Sequence, residues 1–266
     1  MAIHVIVCVK QVIDPDTPST SLTIDKESKT MVGPSGISPV VNGFDENALE
    51  AALRFKDEDP DTKITAITVG SEFQMDVIKK PLSMGCDQLI LLQDTLFSNL
   101  DAYSTATVLV SAIRKLGAFN LILCGRQASD FDQAHVPLGI AEFLNLPCVT
   151  VTKNVSLENN KIISEKTLPD GYDVIECPAP AVITVSNELG KPRYPNLKNI
   201  MAAARTKPEV WSSDDLKLDK NQLEKKSEII ELFIPSIAKM CELMEGEDDA
   251  EKGENLFHKL KEQKFI

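Results

Sequence analysis

Twelve residues of this chain have the composition of an anion-binding loop: Gly125, Arg126, Gln127, Ala128, Ser129, Asp130, Phe131, Asp132, Gln133, Ala134, His135 and Val136. They follow the apolar run 121–124 and precede a stretch, 136–145, with apolar residues at helical spacing. A strand that passes through a polar loop into a helix presents unpaired helix N–H groups at the carboxyl edge of a sheet, where phosphates bind. Each hydrogen bond to a charged group contributes about 1.5–3 kcal/mol, so a few amides can hold a pyrophosphate without a lysine cluster. Arg126 and Lys10, each just past an apolar run, add positive charge. The segment has neither a GxGxxG nor a Walker pattern. The same residues also suit a solvated loop in which Asp130 or Asp132 caps the helix, and spacing alone leaves both readings open.

Three smaller features point to the same edge. Cys8, Val9 and Lys10 end the first apolar run; Val69 and Gly70 end another; Asn42, Gly43, Phe44, Asp45 and Glu46 open a helical pattern. Asn42 is a good N-cap, and Asp45 at the third helical position resembles a capping box. Taken singly, each has an ordinary structural explanation: a core cysteine, a turn glycine, a capped helix.

The elements that must position these residues are legible in the periodicity. Short Ile/Val/Leu-rich runs at 3–9, 64–70, 88–93 and 120–125 predict strands covered on both faces. Helical patterns intervene at 44–58, 72–85, 101–117 and 136–145, with Pro81 expected to kink or split the second. This alternation predicts an α/β fold with a mostly parallel sheet and helices on both faces. Beyond Pro147, two β-rich runs around Glu158, Asn159 and Asn160 predict a hairpin, and 180–186 another strand. We expect residues 1–205 to form this nucleotide-binding domain and 206–266, charged and without clear periodicity before a final amphipathic stretch, to form an extended C-terminal arm.

With 266 residues, 43% hydrophobic and 26% charged, the composition is that of an ordinary globular protein. A net charge of −12 argues against nucleic acid as a partner. No apolar run reaches the ~18–20 residues that cross a bilayer, and the amino terminus reads as a first strand rather than a leader, so a cytoplasmic location without membrane insertion is expected. Six scattered cysteines without a CxxC pair and three histidines predict no metal site.

In combination these pieces resemble the electron transfer flavoprotein beta subunit over nearly the first 210 residues. The matching stretches are VCVKQVID (7–14), NGFDENALEAALRFKD (42–57), AITVG (66–70), LSMGCDQLILL (82–92), LILCGRQASDFDQAHV (121–136) and PAVITVSNELGKPRYPNLKNIMAAARTKP (180–208). The resemblance implies an adenine-nucleotide site made by Cys8, the 42–45 turn, Val69 and the 125–136 segment. It also implies pairing with an FAD-carrying alpha subunit. Housekeeping members hold AMP here. Electron-bifurcating members hold a second FAD that takes hydride from NADH, passing one electron to ferredoxin or flavodoxin. The other goes through the alpha subunit to an acyl-CoA dehydrogenase-like or reductase-like enzyme. Asp130, Asp132, Ala134 and Val136 fit the bifurcating form, while Phe131, Gln133, His135 and Pro137 fit neither, and Gly43 stands where proline is common. The expectation is therefore FAD, with AMP as the alternative and no catalytic side chain, since the flavin performs the redox chemistry. NELGKPRYPN matches the partner-recognition loop, with Leu189 at the position of an exposed docking leucine. An ATP-using enzyme of the related universal-stress or pyrophosphatase-like superfamily would instead show a glycine-rich phosphate loop, and none is present.

Overall fold

The computed structural model describes residues 3–235 and 241–266. In chain order its strands are β1 (His4–Cys8), β2 (Gln11–Val12), β3 (Thr23–Asp25), β4 (Thr30–Val32), β5 (Val40–Val41), β6 (Lys63–Gly70), β7 (Gln88–Gln93), β8 (Leu121–Gly125), β9 (Cys148–Glu158), β10 (Lys161–Leu168), β11 (Gly171–Pro178), β12 (Ala181–Val185) and β13 (Glu209–Trp211). The helices are α1 (Gly43–Glu58), α2 (Met75–Ile78), α3 (Lys80–Met84), α4 (Ala102–Leu116), α5 (His135–Leu144), α6 (Leu197–Arg205) and α7 (Asp249–Glu262).

Nine strands form one sheet in the order β11-β10-β9-β12-β8-β1-β6-β7-β13. From β9 across β12 to β13 every pairing is parallel, whereas β9, β10 and β11 run antiparallel to one another. This is the mostly parallel α/β sheet that the alternation predicts, extended by the hairpin. The central strands are apolar on both faces because each face carries a core. On β1, Val5 and Val7 join the cluster under α1 and α3, while Ile6 and Cys8 join the cluster under α4 and α5. Alternate side chains of a strand point to opposite faces, so a strand covered twice must be apolar throughout.

Pro81 splits the 72–85 pattern into α2 and α3, since it lacks the N–H that a continuous helix needs. α4 starts on a capping box between Asp101 and Ser104 and stops at Gly117.

One compact unit extends to Leu232, and the second is Phe233–Ile266. Within the first unit, past residue 205, β13 adds to the sheet edge beside β7, and Trp211, Leu216, Leu218 and Leu223 are buried in the α4/α5 core. In the second unit, Asp248 caps α7 by accepting the Glu251 N–H, and Leu256 and Phe257 on that helix are exposed. Among the described residues no helix is long and apolar enough to cross a membrane.

Candidate functional site

The carboxyl ends of β1, β6 and β8 lie side by side, because β1 pairs with both of the others. Into the same edge comes the N-terminus of α1. Gly125, the last residue of β8, touches it directly. A Cβ there would collide with the Asp45 carboxylate and sit 2.8 Å from the backbone of Phe44 and Asp45. Only glycine permits this approach.

Asn42 and Asp45 do not form the capping box expected of them. No side chain caps α1. Asn42 reaches across to the loop after β8, donating from Nδ2 to the Gln127 carbonyl (2.8 Å) and accepting at Oδ1 from the Ser129 N–H (3.2 Å). Asp45 accepts the Lys10 N–H at Oδ2 (2.8 Å) and the Gly125 N–H at Oδ1 (3.1 Å). Tertiary donors have outbid the local ones, and both side chains are buried. Burial raises the Asp45 carboxyl to about 7, against the lowering effect of its hydrogen bonds from Asn42, Lys10 and Gly125.

The helix after the loop is also uncapped. Ala134 occupies the N-cap position in the left-handed conformation (φ 55°) without a side-chain bond, so neither Asp130 nor Asp132 caps α5. Asp130 instead pairs with Lys10 (2.6 Å), and Asp132 accepts from Gln127 Nε2 (2.6 Å). The N–H groups opening α5, at His135 and Val136, take no side-chain cap and lie at the positive end of the helix dipole. Asp132, at φ 53°, is a second left-handed residue in the same loop. Such turns aim successive amides into a concavity suited to anions.

The loop borders a cavity of about 610 Å³, within the range of small-molecule and cofactor sites. Of the residues expected to bind a nucleotide, Cys8, Asp45, Val69, Gly125, Gln127, Ala128, Asp130, Phe131, Gln133, Ala134, His135 and Val136 line it. Asn42, Gly43, Phe44, Arg126, Ser129 and Asp132 do not line it. Asn42 braces the loop, and the Arg126 guanidinium lies over the Phe44 ring, 4.8 Å from its centroid.

Sequence reasoning missed the far wall. Phe97, Asn99, Leu100 and Asp101 come from the loop after β7, Thr105 and Leu109 from α4, residues 27–30 from the β3–β4 turn, and Lys225, Ser227, Glu228 and Ile229 from beyond β13. The loop after β7 had a usable signal, since it too follows the carboxyl end of a parallel strand. The other segments had none. The donor set fits an adenine nucleotide: Val69, Phe97, Leu100 and Leu109 offer apolar surface for a ring, and the uncapped loop offers amides for phosphates.

A second candidate surface lies on the loop after β12. Leu189, expected to be exposed, is 7% exposed. It packs in the α1 core, and its carbonyl accepts from Arg54 (3.0 Å). Arg193 clamps the loop to α1 by bonding Glu50 through Nε (2.8 Å) and a terminal nitrogen (3.0 Å), and Asp57 through both terminal nitrogens (3.1 and 2.6 Å). The exposed apolar residues are Tyr194 (94%), Leu197 (73%), Ile200 and Met201.

Residues 34–216 match the family model described as electron transfer flavoprotein domain. The chain is 36% identical to the electron transfer flavoprotein subunit beta of Thermoanaerobacterium thermosaccharolyticum, over 99% of this chain and 100% of that one. It is 34% identical, with the same coverage, to the caffeyl-CoA reductase-Etf complex subunit CarD of Acetobacterium woodii and to the electron transfer flavoprotein subunit beta of Megasphaera elsdenii. The cavity, its loop and these similarities together give one conclusion: the chain belongs to the electron transfer flavoprotein family and is a beta subunit of it.

Proposed function

We propose that this beta subunit holds FAD in the cavity at the carboxyl edge of the sheet and works in an electron-bifurcating complex with an alpha subunit. The observation that carries the reading is the uncapped start of α5, which opens onto a cavity of about 610 Å³ beneath the 125–136 loop. Similarity to a subunit of a caffeyl-CoA reductase-Etf complex supports the bifurcating form. When bound, FAD supplies hydride acceptance from NADH and the division of electrons between ferredoxin or flavodoxin and an acyl-CoA dehydrogenase-like enzyme.

The chain's own residues bind and orient. The amides of Ala134, His135 and Val136 face the diphosphate. Asn42, from outside the lining, and Asp45, from within it, hold the loop in that shape. Lys10 offsets part of the phosphate charge while paired with Asp130. Docking of the acyl-CoA partner passes to Leu197 and Tyr194, because Leu189 is buried.

The test is a cofactor count on the complex purified with its alpha subunit, by chromatography of nucleotides released on denaturation. Two FAD per heterodimer supports the proposal. One FAD with one AMP makes this chain a docking and structural subunit, and no nucleotide beyond the alpha-subunit FAD overturns the site itself.

A further inference from the structure

One irregular piece of the cavity wall comes from the chain beyond β13. Residues 225–229 belong to no helix or strand, yet Lys225, Ser227, Glu228 and Ile229 line the same cavity as the 125–136 loop. One carboxylate oxygen makes most of the hydrogen bonds that hold them, and the Lys226 ammonium also lies over the Tyr103 ring, 5.8 Å from its centroid. Asp101 Oδ2 accepts the N–H of Lys226 (2.6 Å), the N–H of Ser227 (2.9 Å) and the Ser227 hydroxyl (3.2 Å). Its other oxygen is spent capping α4 through Ser104. A more exposed pair, Lys29 with Glu228 (3.0 Å), joins the segment to the β3–β4 turn and adds little by itself.

We propose that residues 225–229 are a detachable wall of the nucleotide cavity, latched on Asp101, that sets how fast an adenine nucleotide leaves. The inference rests on the nucleotide reading of the cavity. An irregular segment gives up few contacts when it lifts, so its release depends mainly on the three bonds at Asp101. Those bonds are charge-assisted and act as one unit. The phosphate loop, braced by buried Asn42 and Asp45, is the fixed wall, and 225–229 is the wall that moves.

The experiment follows release of radiolabelled ADP, chased with unlabelled ADP, from the full-length chain in complex with its alpha subunit. Ser227→Pro removes an N–H and a hydroxyl from the latch, and Asp101→Asn weakens it from the other side. Each variant is expected to release ADP at least about tenfold faster, since each weakens more than one charge-assisted bond. The double variant is expected to release it no faster than either single, because both changes break the same latch. Circular dichroism checks that α4 persists in Asp101→Asn. Release at the wild-type rate in both singles overturns the latch, as does a double variant whose effects multiply. Failure of the wild-type complex to retain any ADP overturns the nucleotide reading and the latch with it, a result distinct from unchanged release.

Discussion

Helix α1 holds two loops by different means. Its first turn and the residue before it, through Asp45 and Asn42, hold the 125–136 loop by hydrogen bonds between buried side chains and backbone groups. Its later turns hold the loop after β12, proposed for docking, largely with charges. Glu50 and Asp57 grip Arg193, Asn47 donates to the Gly190 carbonyl (2.8 Å), and Arg54 donates to the Leu189 carbonyl. The first arrangement shapes a concave site from the backbone, which tolerates unusual side chains such as Phe131 and His135. The second fixes the base of a convex surface whose apolar side chains are free for contact. Buried backbone braces give shape to a ligand site, and an ion-pair clamp lets a loop stay rigid while its outer face stays bare.

The largest expected effect is on the nucleotide side. Gly125→Ala forces a methyl group into the Asp45 carboxylate and the backbone of α1. It should cost about 3 kcal/mol in urea unfolding and abolish nucleotide retention. A stability near wild type would mean that α1 can shift, and that the two loops are less separately anchored than the contacts indicate.

Arg193→Met comes next. It leaves Glu50, whose side chain is 8% exposed, without its main partner, at a cost of about 2–3 kcal/mol, toward the low end for a broken buried pair because Arg193 is itself partly exposed. Electron transfer to the acyl-CoA partner should fall while nucleotide content stays intact. Equal loss of both would erase the distinction between the loops.

Acid and base should act on the two anchors in opposite directions. Burial raises Asp45 to about 7 from 3.8, so its contribution is complete below about pH 4 and is lost as pH rises through 7. For Glu50 burial acts upward, but the hydrogen bonds and charge of Arg193 outweigh it and the carboxyl is lowered from 4.5. The hydrogen bonds of Arg193 lower Asp57 from 3.8. The clamp's contribution is therefore present above about pH 4.5 and is lost as pH falls through the lowered values. Hydrogen exchange of the two loops from below pH 4 up to pH 8 measures this: the 125–136 loop should loosen toward pH 8 and the loop after β12 only as pH falls below about 4. Parallel behaviour would sink the contrast.

The smallest stability effect belongs to Leu197→Ala. At 73% exposed, its loss should change unfolding by less than about 0.5 kcal/mol, yet weaken the acyl-CoA partner's KM for the flavoprotein severalfold. Unchanged kinetics would move the docking surface elsewhere.

Much of the fold was legible because its signals are local. Runs of Val, Ile and Leu bounded by turns marked β1, β6, β7, β8 and β12, and Gly117 marked the end of α4. The helix α6 was not read from the sequence. Neither were the ribbons β2–β5 and β3–β4, which are two to three residues long and leave no period to detect. The 125–136 loop was legible in place but not in detail. Asn42 and Asp45 look like caps to any local rule, and the Lys10, Gly125, Gln127 and Ser129 backbone groups that claim them lie 35 to 87 residues away.

The sequence by itself determined that a polar loop follows a buried strand at the edge of a parallel sheet, since periodicity and glycine placement are properties of neighbouring residues. Only the tertiary structure decided which of these side chains line the cavity and which do not. It also decided that Leu189 is buried while Leu197 is bare, and that residues 225–229 return to close the far wall. The physical reason is the same in each case. Burial and hydrogen bonding are settled between segments distant in the chain, and a competing donor brought near by the fold outweighs the partner next door.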